Sequence, residues 1–161
     1  MSVIRKLVNG NLTRIVNETP DYKGDVIILI HPYNHLVVSS NKKEYGIDYD
    51  CNLSRMLADD PRTIITLERE GSLTETVKKH TGFEHNGERY FVETSKQSSY
   101  PLMGWGQLAN YIRRFSPERV FVCGCFLTVN GNSACVGEGF KNLCEHFPEV
   151  EFIYECCLSP P

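Results

Sequence analysis

Four short runs of apolar, largely β-branched residues recur along the chain. They are VIILI within residues 25–31, TIITL at 63–67, VFVC within 119–125 and VEFIY at 150–154. Each is shorter than a buried helix, and each lacks the polar alternation of a half-exposed strand. Strands covered on both faces read this way, which predicts a parallel sheet sandwiched by helices. Parallel neighbours need long crossovers, and the intervening segments have helical periodicity. Residues 104–115 put Leu108, Tyr111, Ile112 and Phe115 on one face, and residues 133–147 do the same with Val136, Phe140, Leu143, Cys144 and Phe147. Pro117 and Pro148 follow these two segments as stops. A shorter helix is expected over 51–59, on Leu53, Met56 and Leu57. Another starts after Ser72, which has Glu75 at capping-box spacing, and ends near Gly82. The alternation predicts an α/β fold of three layers, a mainly parallel sheet with helices on both faces.

Two hairpins are expected beside this core. Residues 3–16 turn at Asn9-Gly10, giving an N-terminal extension over residues 1–20. A second hairpin turns at Asn86-Gly87, with RYFVE as its return strand. Residues 39–50 are polar and read as a loop. No linker or repeat divides the 161 residues, so one domain spans 1–161. At 41% hydrophobic and 23% charged, such a chain supports its own core. A net charge of −3, with its basic pairs scattered, argues against a nucleic-acid partner. No apolar run approaches the ~20 residues of a membrane span. The first residues lack a signal-peptide pattern, so a cytoplasmic protein is expected. Seven cysteines, an odd number without a secretion signal, argue against a disulfide framework.

In open parallel sheets ligands bind beyond the C-terminal strand ends. Topology therefore gathers His31, Cys125, Cys156 and the 126–135 connection on one rim. Cys135 falls in the first turn of a helix, capped in this reading by Asn132 or Ser133. Free N–H groups and the helix dipole favour a thiolate there and would lower the thiol pKa. The alternative is a cysteine that only packs. Cys123, Cys125, Cys156 and Cys157 with His31 form another conceivable thiol or zinc site, but CxC plus CC lacks the usual CxxC spacing. GNSACVGEG matches no phosphate-loop pattern. No metal or cofactor is expected. His31, Tyr33 and His35 in HPYNH form either a turn or a pocket wall carrying an acid or base. Trp105 is either packing or a pocket wall.

The C-terminal part, LANYIRRFSPERVFVCGCFLTVNGNSACVGEGFKNLCEHFPEVEFIYECC, resembles the isochorismatase-like cysteine hydrolases. There a buried strand ends in Gly (here Gly124), and a loop leads to a Cys-Val pair opening a helix (here Cys135-Val136). Lys96, in VETSKQSSYPLMGWGQL, matches the family's lysine, and VIILIHPYNHL resembles its first strand. The resemblance covers residues 25–157. It implies a six-stranded parallel sheet, a homo-oligomer, and hydrolysis of a small amide or imide-like substrate by Cys135 with Lys96 as electrostatic support. Tyr33, His35 and Trp105 would line the substrate pocket. The chain departs from the pattern where the family's catalytic Asp should end the first strand: His31 stands there, as an alternative base for Cys135. Tyr33 holds the family's Gln position, and the loop to Cys135 is longer. Some proteins of this fold lack the triad and are not catalysts. A silent relative that binds a small molecule or a protein partner is therefore the alternative to a hydrolase.

Overall fold

The computed structural model describes residues 4–15, 20–33, 53–80, 86–124, 128–129 and 132–154. The expected 39–50 loop, His35, Cys125, Cys156 and Cys157 lie outside the described residues. Strands β1 (Ile4–Val8) and β2 (Asn11–Ile15) form the expected N-terminal hairpin. Its turn places Asn9 and Gly10 at positive φ, which these two residues tolerate best. The chain continues through β3 (Val26–Ile30), helix α1 (53–59), β4 (Thr63–Arg69), α2 (Leu73–His80), β5 (Arg89–Thr94) and α3 (Trp105–Arg113). It then forms β6 (Arg119–Gly124), the two-residue strands β7 (Thr128–Val129) and β8 (Asn132–Ser133), α4 (Cys135–His146) and β9 (Glu151–Tyr154). No described helix is long and apolar enough to cross a membrane.

Seven strands share one sheet in the order β2-β1-β5-β4-β3-β6-β9. The five from β5 to β9 run parallel, and β1 joins β5 antiparallel. The α/β class is as the sequence predicts, with seven strands where the family resemblance implies six. One expectation is corrected. RYFVE does not return a hairpin from Asn86-Gly87, because both edges of β5 are taken, one by β4 in parallel and the other by β1. The turn signal is real, since residues 86–87 do bend. The strand it feeds belongs to the main sheet, and residues 81–85 lie outside the described residues.

Every residue of β3 is buried, as a strand covered on both sides requires. Its alternation divides the core. Ile28 and Ile30 face Trp105, Leu108 and Ile112 of α3 and Val136 and Leu143 of α4. Ile27 and Leu29 face Leu53 and Leu57 of α1, joined by Cys123. Gly124 and Gly139 set the depth of α4. A Cβ at Gly124 would lie 2.1 Å from the Ile30 carbonyl oxygen, and one at Gly139 would lie 2.3 Å from Ile30 Cδ1. Only glycine lets the end of β6 and the first turns of α4 approach β3 this closely.

One buried charge ties α1 to the sheet. Arg89, 1% exposed, donates to Leu57 O at 3.2 and 2.8 Å, Asp60 O at 2.9 Å and Arg62 O at 3.0 Å. Leu57 is in the last turn of α1, where carbonyls lack a donor within the helix, and the guanidinium supplies one there and to the two carbonyls just beyond it. Burial pushes its pKa down to about 10, with Asp60 opposing, so the charge persists at neutral pH. Arg89→Met leaves these buried oxygens without donors and is expected to cost about 3 kcal/mol of unfolding free energy. Urea denaturation at pH 7 measures it. A loss below about 1 kcal/mol would mean that water replaces the guanidinium.

Candidate functional site

From β3 the chain moves to β4 and β5 on one side, then crosses back through α3 to β6 and β9 on the other. The strand order therefore reverses between β3 and β6, and the crevice outside their C-terminal ends is the usual ligand position. Ile30 and Gly124 are register partners there. His31 follows β3, Arg69 ends β4, Thr94 ends β5, and Cys135 opens α4.

His31 is the strained member of this group. Its φ is +43°, uncommon outside glycine. Its amide donates to Leu67 O at 2.9 Å, and its Nε2 lies 2.8 Å from Thr94 Oγ1. Thr94 shares parity with Tyr90 and Val92, which face α3 and α4. The left-handed turn thus carries the imidazole onto that face. The side chain is 1% exposed, and its Nδ1 has no hydrogen-bond partner among the described residues. Burial pushes the pKa down to about 4, and the nearby Arg69 charge pushes the same way. At neutral pH the ring is uncharged.

Cys135 is the first residue of α4, and Ala134, not Asn132 or Ser133, is its N-cap. Asn132 and Ser133 are instead paired with β7. The thiol is half-buried against the core. The sequence predicts a lowered pKa, but the net shift is upward. Burial raises it and outweighs the Arg69 charge, Glu138 raises it further, and hydrogen bonds from Arg69 and from its own N–H oppose. A helix start stabilises an anion by about 1 kcal/mol, whereas desolvating a thiolate costs more.

These shifts decide the resting state. Burial raises the thiol pKa and lowers the imidazole pKa, so each shift favours the uncharged form at neutral pH. Cys135 and His31 therefore rest uncharged.

The cation acting on both groups is Arg69, which the sequence reading missed. Lys96 is exposed in the connection after β5 and is not among the charges acting on Cys135. Tyr33 packs against the core on the α1 face, under the Lys79 ammonium at 4.1 Å from its ring. Trp105, 3% exposed, is a core residue at the start of α3, edge-on to Tyr100 with centroids 6.4 Å apart. It also lines a cleft of about 460 Å³ with Ser98, Ser99, Tyr100, Glu138 and Glu145. Glu138 lines that cleft, and its charge also acts on the Cys135 thiol. The cysteine alternative finds Cys123 on the opposite face, its Sγ 3.9 Å from Met56 Sδ. Among the described residues no group of three or more His, Cys, Asp or Glu is placed to hold a metal.

Arg69 had a readable signal. Ile65 and Leu67 face α3 and α4, so residue 69 continues that parity at the strand end. The charges of Glu68 and Arg69 hid the continuation of β4 beyond Leu67. Compared with protein-family models, curated proteins and solved structures, the chain matches none.

The depressed His31 pKa makes stability depend on pH. Between about 4 and 6.5 the unfolded chain binds the proton and the folded protein resists it. Stability from this group is full above 6.5 and is lost as pH falls to about 4, up to about 3 kcal/mol. Glu68, whose carboxyl burial pushes up, works in the opposite sense. Denaturant unfolding of the native protein and of His31→Asn from pH 7 to 3.5 isolates the histidine. The gap between the two should narrow toward low pH, and parallel curves would contradict the shift.

Proposed function

We propose that the β3–β6 edge binds a small molecule through a carbonyl or carboxylate oxygen, on the isochorismatase-like plan that the C-terminal part resembles, with hydrolysis weakened or lost. The observation that supports this is one guanidinium, Arg69, acting on both Cys135 and His31. In this reading the ligand oxygen meets Arg69 and the free N–H groups that begin α4, in the manner of helix-terminus anion sites. The body of the ligand occupies the cleft between Tyr100 and α4. The uncharged resting thiol favours binding over nucleophilic attack. The reading carries forward a cytoplasmic protein, expected from the lack of a signal-peptide pattern, that assembles with copies of itself, as the resemblance implies.

A second reading retains the chemistry, and the Arg69 hydrogen bond to Cys135 favours it. The protein is then a cysteine hydrolase of a small amide or imide-like C–N bond. The thiol proton passes to His31 as sulfur attacks the carbonyl carbon, and Arg69 with the α4 N–H groups holds the oxyanion. The leaving nitrogen takes the proton from His31. Water then cleaves the thioester, restoring the thiol and releasing the acid. Arg69 fills the role that the resemblance assigns to Lys96.

Alkylation by iodoacetamide at pH 7.5, followed residue by residue by mass spectrometry, separates the two. The binding reading expects Cys135 to react about tenfold or more slowly than a free cysteine peptide, following its raised pKa. It also expects native mass spectrometry to find a retained small molecule that Arg69→Gln loses. A Cys135 that outpaces the peptide, with Arg69→Gln slowing it, favours the hydrolase. Slow alkylation with no mass that depends on Arg69 would remove both readings.

A further inference from the structure

The hydrogen bonds around His31 fix which ring nitrogen carries its proton. Thr94 Oγ1 lies 2.8 Å from His31 Nε2 and donates to Ser95 O at 3.0 Å. A threonine hydroxyl has one proton to give. With that proton on Ser95 O, Thr94 can only accept from the ring, so Nε2 carries the hydrogen and Nδ1 the lone pair. The opposite arrangement turns the hydroxyl toward Nε2 and loses the bond to Ser95 O. It also leaves an Nδ1–H buried without an acceptor among the described residues. An unmatched buried donor and one lost hydrogen bond together disfavour that form by about tenfold or more.

We infer that Thr94 is a positioning residue that locks His31 as the Nε2–H tautomer and so presents Nδ1 as a fixed, unprotonated acceptor at the β3–β6 edge. The inference rests on the functional reading above only for what meets Nδ1: the donor group of a ligand, or the thiol proton of Cys135. The lock itself is a property of the buried Thr94–His31 contact.

Long-range proton–nitrogen NMR of the uniformly ¹⁵N-labelled protein at pH 7 reads the tautomer directly. His31 is assigned by the signals missing from His31→Asn. The native protein should show a protonated Nε2 and an unprotonated Nδ1, with the Nε2-bound proton protected from water exchange. Thr94→Val removes the acceptor at nearly constant volume and should speed that exchange about tenfold or more, the worth of one buried hydrogen bond. Thr94→Ser, which keeps the hydroxyl, should restore slow exchange and guards against loss of fold in the valine variant. A native His31 protonated on Nδ1 overturns the inference, as does an Nε2 proton that exchanges equally in all three proteins. Neither outcome depends on Cys135. A correct tautomer beside an inert thiol and an empty site would uphold the lock and remove only the functional reading.

Discussion

The burial of β3 on both faces is the constraint from which the rest follows. A strand with no exposed residue must have a neighbour on each edge and a helical layer on each side. Here those neighbours are β4 and β6, and the strand order reverses between β3 and β6. The reversal marks the usual ligand position of an open parallel sheet, and Gly124 and Gly139 let α4 settle against Ile30 beside it. The first residue of α4 is therefore delivered to the same edge as the last residue of β4. Neither Cys135 nor Arg69 needs a contact near it in sequence to reach that place.

The chemistry of the edge is a contest between burial and charge, and burial wins at both titrating groups. Depth in the core raises the thiol and lowers the imidazole, which removes charge from each. Arg69 acts on the pair in opposite senses, favouring the thiolate and disfavouring the imidazolium. A single guanidinium thus sharpens the neutrality of the histidine while partly relieving the cysteine. An ion pair formed in advance would require the reverse balance, with one face open to water. What remains is one guanidinium acting on two groups that burial holds neutral.

The fold was legible where local pattern and global role agree. The β3 run, the periodicities of α3 and α4 and the Asn9-Gly10 turn each state one thing, and the structure uses each accordingly. β5 was misread because Asn86-Gly87 carries a hairpin signal while the partner of RYFVE lies more than twenty residues upstream in β4, and pattern cannot choose between them. The edge itself followed from topology, which put His31 and Cys135 on one rim. Arg69 was readable only as a parity position at the end of β4; its part depends on where a long side chain ends after β4 is placed beside β3. The direction of the thiol shift was also out of reach. The helix start is written in sequence, but the depth of its first residue is decided by Gly124 and Gly139 together with the packing of Ile30 and Trp105.

The N-terminal hairpin closes off one flank of the sheet. Without it β5 would be a border strand, its backbone amides open to pairing with any extended chain. With it the border moves outward to β2, where Asn11, Thr13 and Arg14 point into solvent and Arg5 lies directly across from Arg14. Arg5 is paired with Glu93 at 2.6 Å, so the exposed charge on the border strand is that of Arg14. A short, charged border strand disfavours pairing with a further extended chain, and the extension keeps the hydrophobic β5 ribbon from being that border.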